Sequence, residues 1–495
     1  MPQQPEAVDA GMKGSGMSNQ PWLFASAEDE PIELVNPTHP NLEKQRYNSS
    51  NATDVDNAIG AAVVAGEQWR STPALARGKM LASIADSLRE SSERLAASMT
   101  EELGKPHADG IGEVQNAAAV FDYYSALLIT QSTSVKQAVS STDQLLTLRA
   151  PLGVVAAITP WNFPINIASV KGAPALAFGN TVVLKPSPLA TATTQLFLEV
   201  VYATGLPTGV LSLVQGDGPR VPEQLIRDPR TAAVSFTGST RVGRQVLALA
   251  AENKTKVQCE MGGKNPAVVL ADADLPSAVK LIVDGAYRFA GQRCTATSRV
   301  IVEEPVYDEF RRLLVEATEA VEVGDPATSS ALVGPLVNAA SIEFVGQAVK
   351  QAVSEGGKVL AGGESARTDA LPGYFYRPTI IETDLKSTAA LTEIFGPVIT
   401  LHKVIDFDAA IAATNATEYG LCAAINTSNL DSALRFADEA EVGAVAVNGT
   451  TAGWQYQAAF GGWKDSGAGA PEQGPEAELF FTRQKTVRIS RASGL

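Results

Sequence analysis

Apolar side chains recur at helical spacing through the first part of the chain. They do so from residue 53 to about residue 102, and again from residue 112 to about residue 130. A period near 3.6 residues, with polar positions between, predicts amphipathic helices. Pro106 ends the first helical block, because proline cannot continue a helix. The segment 144–149 alternates in a way that is typical of a strand.

Beyond residue 150 the pattern changes to short β-branched runs separated by longer helical stretches. The predicted strands of this part are residues 153–158, 181–184, 210–214 and 232–236. Strands separated by roughly a dozen helical residues predict βαβ units and a parallel sheet. The pattern recurs after residue 294, with strands at 299–302 and 398–401 and a helix at 307–321, which indicates a second α/β domain.

The composition narrows the class of protein and of partner. A chain of 495 residues with 45% hydrophobic residues predicts two or three globular domains. Its net charge of −15 argues against nucleic acid or a membrane surface as the main partner. Three cysteines are too few for a disulfide framework and favour a reducing cytoplasm. We therefore expect a cytoplasmic protein with a small-molecule partner, no metal, and a disordered tail at residues 1–20.

Cys294 is the candidate nucleophile, because it lies among small and polar residues in a chain with few cysteines. A free thiol with a pKa of about 8.5 is mostly protonated near pH 7, so it needs a proton acceptor or a lowered pKa. Glu260, in a glycine-rich segment, is a candidate base. None of the three histidines has a recognisable Cys/His protease context, so a carboxylate or a water relay is the better candidate.

Two strand ends carry candidate nucleotide contacts. Lys185 ends a predicted strand at the edge where open α/β sheets bind ligands, although a solvated lysine is the alternative. Gly238 and Ser239 follow the next strand but one and precede a predicted helix, so their amides and hydroxyl suit a pyrophosphate. The segment lacks GxGxxG, and Gly-Ser-Thr is also an ordinary helix cap.

Asn162 lies between Trp161 and Phe163 and is flanked by two prolines after a predicted strand. Its amide is suited to donate to a developing oxyanion, an effect worth about 10²–10³ in rate where it has been tested. The alternative is an asparagine that closes a turn.

Taken together, these residues resemble the aldehyde dehydrogenase superfamily from about residue 53 to residue 487. The motifs that carry the resemblance are, in order, Trp161-Asn162-Phe163-Pro164, Lys185-Pro186, Phe236-Thr237-Gly238-Ser239-Thr240, Glu260-Met-Gly-Gly-Lys264, Gly291-Gln-Arg-Cys294, Glu393-Ile-Phe395-Gly-Pro397 and Phe460-Gly-Gly-Trp-Lys464. The resemblance implies that Cys294 attacks an aldehyde, that Asn162 and the Cys294 amide hold the oxyanion, and that hydride leaves to NAD(P)⁺. Water activated by Glu260 then hydrolyses the thioester.

The resemblance also implies the remaining site residues. Lys171 is expected to support the Asn162 region. The expected cofactor contacts are Trp161, Lys185, Ser187, Gly238, Ser239, Gly243, Glu393 and Phe395, with Glu393 on the nicotinamide ribose and Phe395 near the ring. Cys259 is interpreted as buried structure rather than as a second nucleophile.

One departure from the family pattern concerns the choice of cofactor. Many NAD-preferring relatives carry a glutamate three residues after the lysine that matches Lys185, whereas this chain has Pro188. Without that carboxylate to repel a 2′-phosphate, neutral Ser187 and cationic Lys185 are suited to accept it. NADP⁺ is therefore expected to be used at least as well as NAD⁺.

Two interpretations of the substrate remain open. Arg288 resembles the carboxylate-binding arginine of succinic and α-ketoglutaric semialdehyde dehydrogenases, and with Arg293 it favours an ω-semialdehyde acid. The succinic enzymes usually add an arginine where this chain has Val170. Apolar residues of the expected pocket favour an aromatic or medium aliphatic aldehyde instead: Phe163, Val170, Trp454, Tyr456 and Phe460. A non-catalytic paralogue is a third hypothesis, which intact Cys294, Glu260 and Asn162 disfavour.

The expected architecture is the aldehyde dehydrogenase fold, an α/β fold with three parts. A Rossmann-like cofactor domain is assigned to residues 21–130, 151–260 and 441–475, and an α/β catalytic domain to residues 261–440. A small β oligomerisation arm is assigned to residues 131–150 and 476–495. The strand predicted at 485–490 has no obvious local partner and is expected to pair with another segment or subunit, so a homodimer or homotetramer is expected.

Overall fold

The computed structural model describes residues 20–130 and 134–490 of the chain. The disordered tail predicted for residues 1–20 falls almost wholly outside the described residues, as do residues 131–133 and 491–495 of the predicted arm.

The helices of the described ranges are α1 (Ala52–Ser71), α2 (Ala74–Glu90), α3 (Ser92–Leu103), α4 (His107–Thr130), α5 (Pro164–Ala177), α6 (Thr191–Tyr202), α7 (Arg220–Arg227), α8 (Thr240–Glu252), α9 (Leu275–Tyr287), α10 (Glu304–Glu319), α11 (Ala339–Ser354), α12 (Thr388–Leu391), α13 (Phe407–Asn415), α14 (Leu430–Glu439) and α15 (Ala477–Phe481). A short 3₁₀ turn lies at Pro188–Ala190, and a tight turn with left-handed backbone lies at Arg288–Gly291. The helical block predicted for residues 53–102 is therefore three helices, α1 to α3, and it ends before Pro106 as predicted.

The strands are β1 (Leu23–Phe24), β2 (Ala27–Leu34), β3 (Gln45–Ser49), β4 (Ser134–Gln137), β5 (Gln144–Pro151), β6 (Val154–Ile158), β7 (Thr181–Lys185), β8 (Leu211–Val214), β9 (Thr231–Thr237), β10 (Lys256–Glu260), β11 (Asn265–Val269), β12 (Thr297–Glu303), β13 (Lys358–Ala361), β14 (Thr379–Glu382), β15 (Val398–Val404), β16 (Tyr419–Gly420), β17 (Cys422–Asn426), β18 (Ala444–Val447), β19 (Trp463–Lys464), β20 (Gly467–Ala468) and β21 (Thr482–Ile489). Every strand predicted from the hydrophobic pattern overlaps an observed one.

The first large sheet has the order β1-β8-β7-β6-β9-β10-β20, and its strands from β1 to β10 are parallel. Its strands read as continuous apolar runs because helices cover both faces. On β7, Val182 and Leu184 pack into one hydrophobic cluster, and Val183 packs into the cluster on the other face. The chain order reverses between β6 and β9, and open α/β sheets bind ligands outside the carboxyl ends of the strands at such a point.

A second sheet has the order β13-β14-β15-β12-β11-β17-β18, in which only the pairing of β13 with β14 is antiparallel. Its strands are also covered on both faces, since Val268 and Val269 of β11 pack into different clusters. The second α/β unit predicted after residue 294 is therefore present, and it begins with β11, before Cys294.

Strand β21 pairs along its whole length with β5, in antiparallel register from Thr482 opposite Pro151 to Ile489 opposite Gln144. With β4 on the other side of β5, the three strands form a small separate sheet. The C-terminal strand that lacked a local partner in the sequence thus pairs with a segment more than 330 residues away.

Candidate active site

Four predicted site residues lie at the carboxyl ends of neighbouring parallel strands. Asn162 follows β6, Lys185 ends β7, Ser239 follows β9, and Glu260 ends β10. Because parallel strands end at the same edge of a sheet, these side chains gather on one side of the switch point between β6 and β9. The second sheet contributes Cys294, which precedes β12.

Cys294 and Glu260 line the same cavity, which has a volume of about 380 Å³. Five of the seven candidate substrate residues line it as well: Phe163, Val170, Arg293, Trp454 and Phe460. Three further carboxylates belong to its wall, namely Asp109, Glu113 and Glu472. The cavity therefore joins a thiol, a carboxylate and an apolar lining.

The loop that carries Cys294 has an unusual backbone. Phe289, Ala290 and Gly291 adopt φ values of 54°, 53° and 67°, all in the left-handed region. A β-carbon on Gly291 would lie 2.4 Å from the carbonyl oxygen of Gly396 and 2.9 Å from that of Ala286, so only glycine fits there. Left-handed backbone at non-glycine residues is costly and persists only where surrounding contacts enforce it.

Asn265 supplies part of that enforcement. Its buried amide donates to the carbonyl oxygens of Cys294 (2.8 Å) and Ala296 (2.9 Å). Its side-chain oxygen accepts from the backbone N–H of Cys422 at 3.2 Å. The nucleophile loop is thereby tied to β17 of the second sheet.

The Cys294 thiol is not activated in this arrangement. Burial raises its pKa to about 12, and the nearby carboxylates of Glu393 and Glu260 add to the rise. Near neutral pH the thiol is therefore protonated, and attack on a carbonyl carbon requires a proton acceptor. Cys259 and Cys422 are buried, and burial likewise raises the pKa of Cys259 to about 12.

Glu260 is the carboxylate available for that purpose. Its side chain accepts a hydrogen bond from the Gly462 N–H at 3.1 Å. Burial, and then the charge of Glu472, raise the pKa of Glu260 well above its ordinary value, while the Lys171 ammonium opposes the rise. A carboxylate with a raised pKa is a better proton acceptor than an exposed one.

Asn162 is buried and oriented by its neighbours. Its side-chain amide donates to the carbonyl oxygen of Gln292 at 3.0 Å, which leaves the second N–H of the amide free. Lys171 was expected to support this region, but the structure differs: its ammonium donates to Ser235 (2.9 Å) and is paired with Glu472. The lysine that contacts the Asn162 backbone is Lys105, which donates to its carbonyl oxygen at 2.6 Å.

The two predicted substrate arginines have different surroundings. Arg288 is absent from the cavity wall, and its guanidinium is paired with Asp284 at 2.5 Å and with Asp109 at 2.9 Å. Arg293 lines the cavity and lies 3.5 Å from Asp109, and its Nε has no hydrogen-bond partner in the structure. The structure thus brings Arg293, and not Arg288, to the cavity that Cys294 lines.

Aromatic residues shape the rest of the cavity. Trp454 is held by a hydrogen bond from its Nε1 to the carbonyl oxygen of Thr451 at 2.8 Å. Phe163 packs edge-on against Phe289 at 6.4 Å. Tyr456 does not line the cavity and packs against Tyr123 instead, with ring centroids 5.7 Å apart.

The predicted adenosine contacts lie at the ends of β7 and β9. Burial lowers the pKa of Lys185 to about 8, which Asp217 partly offsets. The Ser187 hydroxyl accepts from the Leu189 N–H at 3.3 Å and keeps its own proton for donation. The cation and the hydroxyl at this strand end are of the kind that a ribose or phosphate group requires.

Helix α8 begins beside them. Ser239 is its N-cap, and the Gly238 N–H donates to the Glu260 carbonyl oxygen at 3.0 Å. A β-carbon on Gly243 would lie 2.3 Å from the Met261 sulfur, so glycine permits the close approach of α8 to β10. The helix N-terminus, where phosphate groups bind favourably, is thereby held near Glu260.

The predicted nicotinamide contacts form a third group. Glu393 accepts from the Gly263 N–H at 3.1 Å, and burial raises its pKa to about 7. Phe395, with φ of 55°, packs edge-on against Trp161 at 5.8 Å. The donors, acceptors and rings present therefore fit a dinucleotide.

Among residues 20–130 and 134–490, no cluster of three metal-ligating His, Cys, Asp or Glu side chains occurs.

Several residues of the site were not predicted from the sequence. Lys105, Asp109 and Glu113 belong to the start of α4 and the turn before it, and Glu472 belongs to a loop. The polar segment Gly104-Lys105-Pro106 and the Pro-Glu-Gln-Gly run at 471–474 were the only local signals.

Comparison with known proteins gives a consistent result. The model of the aldehyde dehydrogenase family matches residues 23–487. An alpha-ketoglutaric semialdehyde dehydrogenase of Bacillus subtilis is 37% identical over 95% of this chain and 97% of its own length. An alpha-ketoglutarate semialdehyde dehydrogenase of Haloferax volcanii is 39% identical over 95% and 97%. The crystal structure of betaine aldehyde dehydrogenase from Staphylococcus aureus in complex with NAD⁺ has a TM-score of 0.91 at 30% identity, covering 94% of this chain and 92% of that one.

Proposed function

The chain belongs to the aldehyde dehydrogenase family, and on that basis we propose that it oxidises an ω-semialdehyde acid of the α-ketoglutaric or succinic semialdehyde type. The observation that carries the proposal is Arg293, a cation in the wall of the Cys294 cavity whose guanidinium comes no closer than 3.5 Å to its acidic neighbour Asp109. A guanidinium in a cavity wall that lacks a close ion-pair partner favours a carboxylate ligand, which can accept two parallel N–H···O bonds from it. The names of the Bacillus and Haloferax relatives support the same substrate class.

The proposed chemistry uses three side chains. Cys294 attacks the aldehyde carbon as its thiol proton passes to Glu260 directly or through water, which forms the C–S bond of a thiohemiacetal. The free N–H of the Asn162 amide and the Cys294 backbone N–H hold the oxyanion. NAD(P)⁺ supplies the hydride acceptor. Hydride acceptance by the cofactor would leave a Cys294 thioester. Glu260 gives up the thiol proton to solvent, then deprotonates the water that attacks the thioester and returns that proton to the leaving Cys294 sulfur, which releases the acid and the free thiol.

A substrate panel with two arginine variants tests the proposal. Arg293→Gln is expected to lower kcat/KM for succinic semialdehyde roughly ten- to hundredfold, the loss of a charged hydrogen bond, and to change it little for butanal. Arg288→Gln is the matched comparison, since it removes the same charge outside the cavity wall. A selective loss on Arg288→Gln alone would instead identify Arg288 as the carboxylate-binding residue, as the sequence predicted. Cys294→Ala provides the blank.

A second candidate is favoured by the apolar part of the wall. Phe163, Ile167, Leu421, Trp454 and Phe460 line the cavity and suit an aromatic or medium aliphatic aldehyde. Higher kcat/KM for benzaldehyde or hexanal than for the carboxylated aldehydes in the wild-type enzyme would favour this candidate. No turnover of any aldehyde would favour a non-catalytic paralogue.

We also propose that NADP⁺ is used at least as well as NAD⁺. Pro188, at the start of the 3₁₀ turn next to Ser187, leaves no carboxylate three residues after Lys185. Pro188→Glu is expected to lower kcat/KM for NADP⁺ at least about tenfold relative to NAD⁺, because like charges brought together at a binding site are strongly unfavourable. Unchanged discrimination would show that neighbouring loops decide the preference.

A cytoplasmic homodimer or homotetramer remains part of the proposal. The small sheet of β4, β5 and β21 exposes Val135, Leu148 and Ile489, which supports its assignment as an oligomerisation arm. Light scattering of the purified protein gives the oligomeric state. No helix of the described ranges is long and apolar enough to cross a membrane.

A further inference from the structure

A buried ion pair lies directly behind the turn that carries Asn162. Lys105 follows α3 and Glu113 lies on α4, and both side chains are completely shielded from solvent. The two are hydrogen-bonded to each other. Burial lowers the pKa of Lys105, which the adjacent Glu113 opposes. A fully buried pair of this kind is rarely a net source of stability, because both charges lose their hydration.

The pair holds the Asn162 turn from both sides. Lys105 donates to the Asn162 carbonyl oxygen at 2.6 Å and lies 4.0 Å from the centre of the Phe163 ring. The second carboxylate oxygen of Glu113 accepts from the backbone N–H groups of Ile165 (2.9 Å) and Asn166 (3.0 Å). Apart from the hydrogen bond between them, the two side chains thus bond to the backbone on either side of Phe163, Lys105 before it and Glu113 after it.

No side chain of the turn itself caps the helix that follows it. Helix α5 begins after Phe163, which provides no side-chain cap, so Glu113 accepts the N–H groups that an N-cap side chain would normally satisfy. The Asn162 side chain has one further anchor, the Gln292 carbonyl oxygen on the nucleophile loop. The direction of its free N–H therefore depends on where Lys105 and Glu113 hold the backbone.

We propose that Lys105 and Glu113 are positioning residues, which fix the Asn162 turn so that the free amide N–H meets the oxyanion formed at Cys294. The inference rests on the oxyanion role proposed for Asn162. It assigns a part in the reaction to two residues that touch neither the nucleophile nor the base through any hydrogen bond.

A double-mutant cycle separates positioning from a purely structural role. Glu113→Gln keeps a side chain of similar shape but removes the negative charge that faces Lys105, so the Asn162 turn is expected to shift. The shift is expected to slow single-turnover formation of reduced cofactor roughly ten- to hundredfold. In the Asn162→Ala background the same change is expected to cost less than about threefold, since the group it positions is gone. Equal factors in both backgrounds would overturn the proposal.

Glu102 offers a matched control. It is also a buried carboxylate, and it accepts from the N–H groups of Ala192 and Thr193 (2.8 Å each) at the start of α6. Glu102→Gln is expected to change the single-turnover rate by the same factor in the wild-type and in the Asn162→Ala background. The same dependence on Asn162 as Glu113→Gln would show that the cycle reports general loosening, which would also overturn the proposal.

A double variant in which both residues are uncharged keeps the proposal testable if the single variants fold poorly. Lys105→Met combined with Glu113→Gln removes both charges, so its melting temperature is expected to exceed that of either single variant, because no unpaired charge stays buried. Its single-turnover rate is expected to stay low, because a methionine side chain has no proton to donate to the Asn162 carbonyl oxygen. Recovery of both rate and stability would mean that the pair is only structural.

The choice of aldehyde distinguishes this inference from the proposed function. An oxyanion forms from every aldehyde, so the cycle is expected to give the same result with succinic semialdehyde and with hexanal, each with NADP⁺. A wild-type rate for Asn162→Ala would remove the oxyanion role and this inference together. A slow Asn162→Ala whose effect multiplies fully with that of Glu113→Gln would remove the inference alone.

Discussion

Replacing Gly291 with alanine tests whether the backbone of the nucleophile loop is needed as the structure shows it. Gly291 has φ of 67° and lies three residues before Cys294. An added β-carbon would lie 2.4 Å from the Gly396 carbonyl oxygen, well inside van der Waals contact. The conformation of this residue therefore favours glycine, and the space around it requires glycine.

The expected cost has two parts. A non-glycine residue in the left-handed region costs about 1–2 kcal/mol, and forcing a methyl group into a well-packed site costs about 1–3 kcal/mol. Gly291→Ala should therefore destabilise the protein by roughly 2–5 kcal/mol. If the loop shifts to relieve the clash, displacement of Cys294 by about 1 Å lowers kcat by about a hundredfold.

Two other glycines separate the contributions. Gly205 has φ of 85° with no atom within 4 Å of an added β-carbon, so Gly205→Ala should cost only the conformational part. Gly60 lies inside α1 with equally open surroundings, and Gly60→Ala should stabilise the helix by up to about 1 kcal/mol. The expected order of stability is Gly60→Ala, wild type, Gly205→Ala and Gly291→Ala.

Thermal denaturation at a fixed scan rate gives the order of stability, and steady-state kinetics give kcat. If Gly291→Ala has the same melting temperature as Gly205→Ala and keeps wild-type kcat, the close contact with Gly396 is not maintained in solution. Crowding at the nucleophile loop would then not be the reason that glycine occupies this position.

Three further predictions concern ionisation and cofactor binding. Because the pKa of Cys294 is raised to about 12, the thiolate fraction grows about tenfold per pH unit below that value. Alkylation of Cys294 by iodoacetamide without cofactor should therefore be slow at neutral pH and accelerate about tenfold per pH unit. An alkylation rate independent of pH would refute this prediction. Lys171 lowers the pKa of Glu260 and Glu472 raises it, so Lys171→Met should move the low-pH limb of kcat/KM to higher pH and Glu472→Gln should move it to lower pH; shifts in the same direction would contradict this reasoning. Glu393→Gln should raise KM for NADP⁺, because Glu393 is an expected cofactor contact. It should also shift the pH profile of Cys294 alkylation to lower pH, since Glu393 raises the pKa of Cys294. An unchanged alkylation profile would show that Glu393 does not act on the thiol.

Lys185 and Asn162 could be placed from the sequence because their positions follow from the hydrophobic pattern alone. Lys185 ends a predicted strand and Asn162 follows one, so the assignment of those strands was enough to bring the two residues to one edge, whereas β10, which Glu260 ends, was not among the predicted strands. The pairing of β21 with β5 was predictable only in part. Alternation indicates a strand, but no local signal identifies a partner more than 330 residues away.

Residues that reach the site from helix α4 could not be predicted in this way. A charged residue on an amphipathic helix is usually solvated, and nothing in the period distinguishes Glu113 from a surface glutamate. Its burial depends on how α4 packs against α5, which is a tertiary contact. The same limit applies to Lys105, which the sequence shows only as a polar residue between glycine and proline.

The two arginines illustrate a different limit. Spacing before the cysteine predicted that both would face the substrate, but Phe289, Ala290 and Gly291 lie between them in left-handed conformation. That turn changes the direction of the chain, so Arg288 pairs with Asp284 while Arg293 lines the cavity. Two of the three residues are not glycine, so composition gave no reason to expect a turn of this kind.

The ionisation of the thiol and of its proposed base are not independent properties. The Glu260 carboxylate raises the pKa of Cys294, so the site resists carrying both negative charges at once, and loss of a proton from one group opposes loss from the other. Transfer of a proton from Cys294 to Glu260, by contrast, leaves the total charge of the cavity unchanged. A buried site with Glu472 and Asp109 already in its wall therefore favours internal transfer over release of the proton to solvent. For this reason the apparent pKa values of the rate profile should be assigned to the Cys294–Glu260 pair, and replacing Glu260 should change both limbs.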